Sequence, residues 1–459
     1  MKDYRRTSFW LETAGDLTPR PPLDGSVDVD VAILGAGFSG LWTAYYLQER
    51  DPALRIALVE REIAGFGASG RNGGWCTPGF PVSGEVLAER FGLDAAHRLE
   101  QAMFDAVDEV GRVIQAEGID AQYLKRGSLR LARGKHQAPA IDGYHATMNR
   151  LGLGHYFQRL DAGETAARVR VTNVVGSLFN HQCAVIHPAR LVRGLAQVVE
   201  RRGATIFEQT GVTSFVPGPN PRLSTARGDV RAKAIVLAGE AWLSQLPGKR
   251  RAILPLYSLI VLTEPLSPEE WEQIGWQNRE LIASCRYSVD YLQRTADGRI
   301  MFGGRGAPYR MNSQITEDLD RHEPTHAMLR DLARQWFPAA KDVRFTHAWG
   351  GPLGMPRDWM PTTSWDPRSG VGAVHGYTGQ GVATSNLFGR IMADLVTGTA
   401  SDLTKLPTVN HRSPEWEPEP FRFLGIRYVQ EGMMNLDRAA ESTGQPPTGK
   451  TLVERLGRH

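Results

Sequence analysis

The stretch DVAILGAGFSGLWTAYYLQE, residues 30–49, constrains the fold of this chain more than any other. Apart from Asp30, residues 29–34 are β-branched or apolar, the content of a short buried strand. Gly35, Gly37 and Gly40 follow at GxGxxG spacing, and residues 41–47 have helix-forming composition up to Asp51-Pro52, where the proline prevents extension. RIALVE, residues 55–60, reads as a second strand, and the acid that ends it, Glu60, stands 20 residues beyond Gly40. A plain strand-to-helix turn needs some of these glycines. It does not need strand, glycines, helix, strand and acid in that order. The order predicts a Rossmann-type βαβ nucleotide site. Gly35 allows the tight turn, Gly37 lets backbone approach a diphosphate, and Gly40 lets helix and strand pack closely. Phe38 and Ser39 open the helix, whose N-terminal N–H groups face the phosphates. Glu60 is placed to accept from ribose hydroxyls, with Arg61 beside it.

The next segment narrows the nucleotide. GFGASGRNGGWCTPG, residues 65–79, is a second glycine-rich loop directly after the acid. An NAD site has little use for such a loop, whereas FAD carries a longer tail to be gripped further along. With this loop the sequence resembles the D-amino-acid oxidase/glycine oxidase family of FAD-dependent amine oxidoreductases. Its closest subgroup is the γ-glutamylputrescine oxidoreductase-like proteins, and the resemblance runs from Ser8 to about Gly398. It implies noncovalent FAD, polar contacts to it from Ser69, Arg71 and Asn72, and close backbone approach at Gly73 and Gly74, with Gly70 in the same loop. It also implies a backbone pair from Val212 to the adenine and a place near the phosphates for Gly239. Relatives commonly carry another residue where Glu240 stands. The last matching segment, residues 370–398, reads as strand, glycine loop and helix. Gly376, Tyr377, Thr378, Gly379, Gln380 and Gly381 form the loop and Val382 follows, so that the helix aims its N–H groups at the flavin pyrimidine end.

The implied fold is α/β: a Rossmann-type FAD-binding domain with an interleaved substrate domain built on an antiparallel β-sheet with helices. The expected organisation is an N-terminal extension (1–27), FAD-binding segments at 28–90, 185–249 and 343–400, substrate segments at 91–184 and 250–342, and a C-terminal helical extension and tail (401–459). In the second interval LPLYSLIVLTEPL, SCRYSVDYLQRTADGRIMFGG and VRFTHAWGG alternate and turn like antiparallel strands. Tyr257, Tyr291, Arg305, His347 and Trp349 are the candidates for the substrate pocket, each also readable as an ordinary core or sheet residue. A carboxylate on the substrate would favour arginine, and Arg305 stands first.

Composition removes other classes. With 53 basic against 50 acidic residues in 459, the net charge of +3 gives no reason to expect a nucleic-acid partner. No run of about 18 apolar residues suggests a membrane span. Arg5 and Arg6 have no apolar run behind them, so a cleaved export signal is not expected. Cys76, Cys183 and Cys285 are sparse, odd in number and without metal spacing, which suits free thiols and a cytoplasmic location. Two motifs mislead. HEPTH, residues 322–326, fits the zinc pattern HExxH, but Pro324 belongs in a first helical turn and leaves His322 before the helix. GQPPTGKT, residues 444–451, fits a phosphate loop, but no apolar strand precedes it and two prolines remove N–H donors.

The expected activity is oxidation of the C–N bond of a primary or secondary amine, an amino acid or polyamine derivative, by hydride transfer to flavin N5 followed by imine hydrolysis. The alternatives are a flavin hydroxy-acid dehydrogenase docking on a membrane and a non-catalytic flavoprotein. For the former, the only candidate docking stretch is residues 421–440, better explained as a helix packed on its own protein. The eight lysines lie outside the flavin motifs and pocket strands, apart from Lys233 in a buried-looking strand. That disfavours a lysine-assisted oxidase and leaves the acceptor, O2 or another, open. The oligomeric state is not legible.

Overall fold

The computed structural model describes residues 2–457, so Met1 of the expected N-terminal extension and residues 458 and 459 of the expected tail lie outside it. The βαβ unit forms as its sequence requires. Strand Val31–Leu34 leads into helix Phe38–Arg50 and strand Ile56–Val59, and the two strands pair in parallel from Val31 opposite Ile56. The helix starts earlier than its apolar content suggests because Gly37 caps it.

Those two strands are the second and third of a six-stranded sheet. Its order is Thr205–Phe207, Ile56–Val59, Val31–Leu34, Ala234–Leu237, Val371–His375 and Thr362–Asp366. All neighbours are parallel except the last pair. Three distant stretches of chain therefore build one sheet. The helix Gly381–Thr397 packs on the first helix, and the fit is close: a Cβ on Gly389 would lie 2.6 Å from Trp42 Cβ.

The remaining chain builds an eight-stranded sheet from both intervening regions. Its order is Phe345–Met355, Leu254–Thr263, Ile300–Arg305, Asp290–Arg294, Leu281–Ser284, Ser128–Arg133, Val174–Asn180 and Phe157–Leu160. Pairing is antiparallel throughout except between Leu281–Ser284 and Ser128–Arg133. Strand Leu254–Thr263 shows why the sheet is covered on both faces. Leu259 and Val261 join a core with Trp336 of the helix Glu323–Trp336, while Ile260 and Leu262 face the cluster of Phe9, Trp10 and Leu11. The period of two is that of a strand. Strand Phe345–Met355 belongs to this sheet, although it falls beyond residue 342, where the sequence reading ended the second substrate segment.

Both misleading motifs resolve as local caps. His322 is the N-cap residue of the helix Glu323–Trp336, with Pro324 in its first turn, and His326 Nε2 contacts the Trp349 carbonyl at 3.1 Å. Gly444 ends the helix Phe421–Thr443, and Thr451 and Glu454 form a capping box on the short helix that follows. The helix Phe421–Thr443 packs on its own protein through Phe423 and Ile426, but Phe421, Leu424 and Tyr428 are 69%, 60% and 50% exposed. The expectation of self-packing thus holds for one face only. No helix among the described residues is long and apolar enough to cross a membrane.

The helix-on-helix contact at Gly389 is a test of the packing. Gly389→Ala is expected to lower stability by about 1–3 kcal/mol, because neither Trp42 nor its backbone has room to yield. Urea unfolding of the holoprotein measures it, and an unchanged midpoint contradicts the close approach.

Candidate active site

A cavity of about 800 Å³ runs along the C-terminal edge of the six-stranded sheet and under the eight-stranded one. It lies in the upper part of the range for small-molecule sites, about 300–1,000 Å³. Gly35, Gly37, Phe38 and Ser39 line it from the βαβ turn, and Glu60 and Arg61 from the end of the next strand. Ser69, Arg71, Asn72 and Gly73 border it from the second glycine loop, with Val212 and Gly239 nearby. Tyr377, Thr378, Gly379, Gln380, Gly381 and Val382 close it from the last loop. Sequence stretches more than 300 residues apart thus meet around one space.

Gly40, Gly70, Gly74 and Gly376 do not line the cavity; they are glycines because protein atoms crowd them. A Cβ on Gly40 would sit 2.0 Å from the Gly35 carbonyl oxygen, and one on Gly70 2.3 Å from that of Gly65. Gly74 and Gly376 have φ of +68° and +91°, and an added Cβ would lie 2.5 Å from the Ile186 carbonyl oxygen and from Pro356 respectively.

The polar side chains of the second loop are committed to the loop itself. Ser69 Oγ accepts from the Phe38 N–H at 2.8 Å, tying the loop to the first turn of the helix. Arg71 donates to the Phe66 carbonyl at 2.8 Å and to Asp320 at 2.7 Å. Asn72 donates to the Ala68 and Ser69 carbonyls and accepts from Gly74 N–H. The Arg71 and Asn72 side chains, expected to contact the cofactor, line the cavity and also scaffold the loop. That scaffold extends to the N-terminal segment: Ser8 Oγ donates to the Gly70 carbonyl at 2.7 Å, and Trp10 Nε1 to the Asn72 carbonyl at 2.8 Å.

Of the five pocket candidates, Tyr291 and Arg305 line the cavity, and Tyr257, His347 and Trp349 do not. Tyr257 is buried with its hydroxyl bridging the Thr316 N–H and carbonyl, fixing the start of a turn. His347 contacts Glu12 of the N-terminal segment at 3.0 Å. Trp349 is buried with its Nε1 on the Arg71 carbonyl at 2.9 Å, so it buttresses the flavin loop from behind. Tyr257 falls on the face of its strand opposite Ser258, whereas His347 and Trp349 share the face of Gly351 and Leu353 but stand further along the strand, past the cavity. Tyr291 lies flat against two glycines: a Cβ on Gly73 or Gly303 would come within 2.6 or 2.2 Å of its ring. Its hydroxyl meets Ser258 Oγ at 2.8 Å, and burial pushes its pKa up to about 12. Arg305 donates to the Thr378 carbonyl at 3.1 Å, linking the pocket sheet to the last glycine loop.

Glu240 was not assigned from sequence, and the structure gives it a place. It lines the cavity at φ +48°, and Oε1 accepts from Gly376 and Tyr377 N–H at 3.2 and 3.0 Å. Burial pushes its carboxyl up to about 7 against the opposing pull of those N–H groups. Lys233, by contrast, is 82% exposed and pairs with Asp30, so the buried reading of that lysine is wrong. Among the described residues neither a lysine nor a histidine lines the cavity. Among the described residues no three His, Cys, Asp or Glu side chains are grouped to hold a metal.

The lining fits FAD. Two helices of 13 and 17 residues begin at the cavity, and neither cap residue, Gly37 nor Gln380, makes a side-chain cap bond. Their first N–H groups suit anionic oxygens. Glu60 holds its carboxylate in place with the Ala36 and Glu62 N–H groups, each at 3.0 Å, beside the point where the helix begins. Comparison with known proteins agrees: the model of the DAO family, described as FAD dependent oxidoreductase, matches residues 30–395. The chain belongs to this family of FAD-dependent oxidoreductases.

Within the family, the chain is 27% identical over 412 residues to the gamma-glutamylputrescine oxidoreductase of Escherichia coli K12, covering 88% of this chain and 92% of that one. It is 25% identical over 394 residues to a glycine oxidase of Geobacillus kaustophilus, covering 83% and 97%. The crystal structure of glycine oxidase from the latter organism superposes with a TM-score of 0.70 at 21% identity, over 84% of this chain and all of the other. An L-proline dehydrogenase from P. horikoshii superposes at 0.65 and 17% identity, over 93% and 100%. The α/β fold with a Rossmann-type domain is that of these flavoproteins, and FAD is the cofactor.

The N-terminal brace makes a prediction specific to this chain. Trp10 is 2% exposed. Trp10→Ala is expected to cost about 3–5 kcal/mol of stability and to lower FAD retention by releasing the Asn72 carbonyl. The flavin-to-protein absorbance ratio after gel filtration measures it, and full retention overturns the brace.

Proposed function

We propose that this FAD-dependent oxidoreductase oxidises the C–N bond of an amine or amino acid. The observation that carries the reading is the continuity of the cavity: the space lined by the cofactor loops also reaches Tyr291, Ser258 and Arg305 on the pocket sheet. The related proteins named above are supporting evidence, since glycine and γ-glutamylputrescine are amines. The proposed cofactor residues are Gly35, Gly37, Phe38 and Ser39 for the diphosphate, Glu60 for the ribose, Val212 for the adenine end, and residues 377–382 for the flavin pyrimidine. Domain limits as drawn from the sequence go with this assignment, the strand Phe345–Met355 being counted with the pocket sheet.

When bound, FAD supplies the hydride acceptor, its N5. The chain supplies position, exclusion of water and charge. Tyr291, protonated well above neutral pH, donates or accepts one hydrogen bond with Ser258 and forms one wall of the pocket. Arg305 brings a permanent cation to the same wall and suits a substrate carboxylate. Among the lining acids, Asp290 has both carboxylate oxygens engaged by Ser284 and Glu240 has Oε1 engaged by the Gly376 and Tyr377 N–H groups. The substrate amine therefore reacts in its unprotonated form, and water hydrolyses the imine after release. With neither lysine nor histidine in the lining, the acceptor for reoxidation, O2 or another, is set by access.

The test is anaerobic bleaching of the yellow protein by panels of amines and hydroxy acids. Bleaching by amines alone is expected; bleaching by hydroxy acids alone, or by neither panel, rejects the reading. Further, kcat/KM for a responding amine is expected to rise with pH with a slope of about one, up to the pKa of the free amine. Tyr291→Phe is expected to keep that profile and lower kcat/KM less than about tenfold. Loss of the pH dependence in this variant assigns the base to Tyr291 and overturns the protonation argument.

A further inference from the structure

One part of the cavity lining is not explained by cofactor or by the reacting centre. The turn 285–289, between strands Leu281–Ser284 and Asp290–Arg294, brings Cys285, Arg286 and Val289 to the cavity, and Arg130 lines it on the neighbouring strand. The Arg286 side chain is 9% exposed, and its Nε and Nη1 are buried without a hydrogen-bond acceptor. Buried guanidinium N–H groups are almost always paired, and Nη1 has no hydrogen-bond acceptor at a residue that lines the cavity, which leaves a place for an acceptor that arrives with a ligand.

The acids around Arg286 hold it without satisfying it. Asp437 and Glu441, both on the helix Phe421–Thr443, approach Nε at 3.7 and 3.4 Å. Asp437 is already occupied, its two oxygens accepting from Tyr287 and Ser288 N–H at 2.9 and 2.8 Å. Asp290 has both oxygens on Ser284. The turn itself is under constraint, for Val289 is a β-branched residue at φ +58°. Asp437 holds the two N–H groups just before it. The family match ends at residue 395, so this support comes from a helix beyond the family module.

We propose that Arg286 is a specificity-determining residue that binds an anionic group of the amine substrate. Asp437 is a positioning residue that sets the turn carrying it, and Glu441 assists. Arg305 is partly committed to the Thr378 carbonyl, whereas Arg286 offers buried cationic donors without acceptors, and Trp75 Nε1, also in the lining, offers a neutral one. The substrate class is an amine bearing a carboxylate on a chain, with the carboxylate held by the C-terminal half of the pocket. This inference rests on the amine reading above, and the experiment separates the two.

Glutarate, a dicarboxylate with no amine to oxidise, is titrated into the holoenzyme by calorimetry. The oxidation of 5-aminopentanoate is compared with that of pentylamine, the same chain without the carboxylate. Wild type is expected to bind glutarate and to show the lower KM for 5-aminopentanoate. Arg286→Gln is expected to weaken glutarate binding by about tenfold or more and to raise KM for 5-aminopentanoate similarly, with a smaller effect on pentylamine. Arg286→Lys recovers part of the loss, and Asp437→Asn gives a smaller loss with the same selectivity and normal FAD content. Absence of glutarate binding to wild type, equal binding by Arg286→Gln, or equal loss on both amines overturns the proposal. If neither amine is oxidised while glutarate binding still depends on Arg286, the amine reading fails and the anion site stands.

Discussion

The structure depends on how tightly backbone is packed where the first strand becomes the first helix. With an added Cβ at Gly40 only 2.0 Å from the Gly35 carbonyl, the helix can start where it does only if that position has no side chain. Ser69 then reaches across to the Phe38 N–H, so the second glycine loop is registered on the first helical turn. Each later part of the site is placed relative to this junction. The strand Ala234–Leu237 lies beside Val31–Leu34, the strand Val371–His375 beside that, and the loop after it returns the chain to the same cavity.

The sequence carried this region well because its requirements are steric and local. A strand, three glycines, a helix and an acid at fixed spacing admit few arrangements, and residues 31–59 adopt the one expected. Whether a given loop residue faces the cavity or the protein was not legible. Gly37 and Gly40 look alike in sequence, yet one borders the cavity and the other the Gly35 carbonyl. Arg71 and Asn72 have the chemistry of cofactor ligands, and nothing in the sequence shows that Asp320, 249 residues away, and the Ala68 carbonyl engage them as well.

The pocket sheet was harder for a related reason. Alternation says that residues face opposite ways but not which way is inward, and here both faces of Leu254–Thr263 are buried. Tyr257, His347 and Trp349 were therefore indistinguishable from Tyr291 before the fold was known. One usable signal was present. The double glycine of MFGGRG leaves room on a strand for a large neighbour, and Gly303 makes that room for the Tyr291 ring. Glu240 gave a weaker one, an acid directly after a buried strand with no surface to reach.

Both ends of the chain touch the site from outside the family module. Trp10 holds one loop through the Asn72 carbonyl, and Asp437 holds another through Tyr287 and Ser288. Neither terminus is a neutral handle. A purification tag, fusion partner or trimmed expression boundary that disturbs the first dozen residues or the last long helix acts on the mouth of the reaction chamber, even though it is designed at the periphery of the chain.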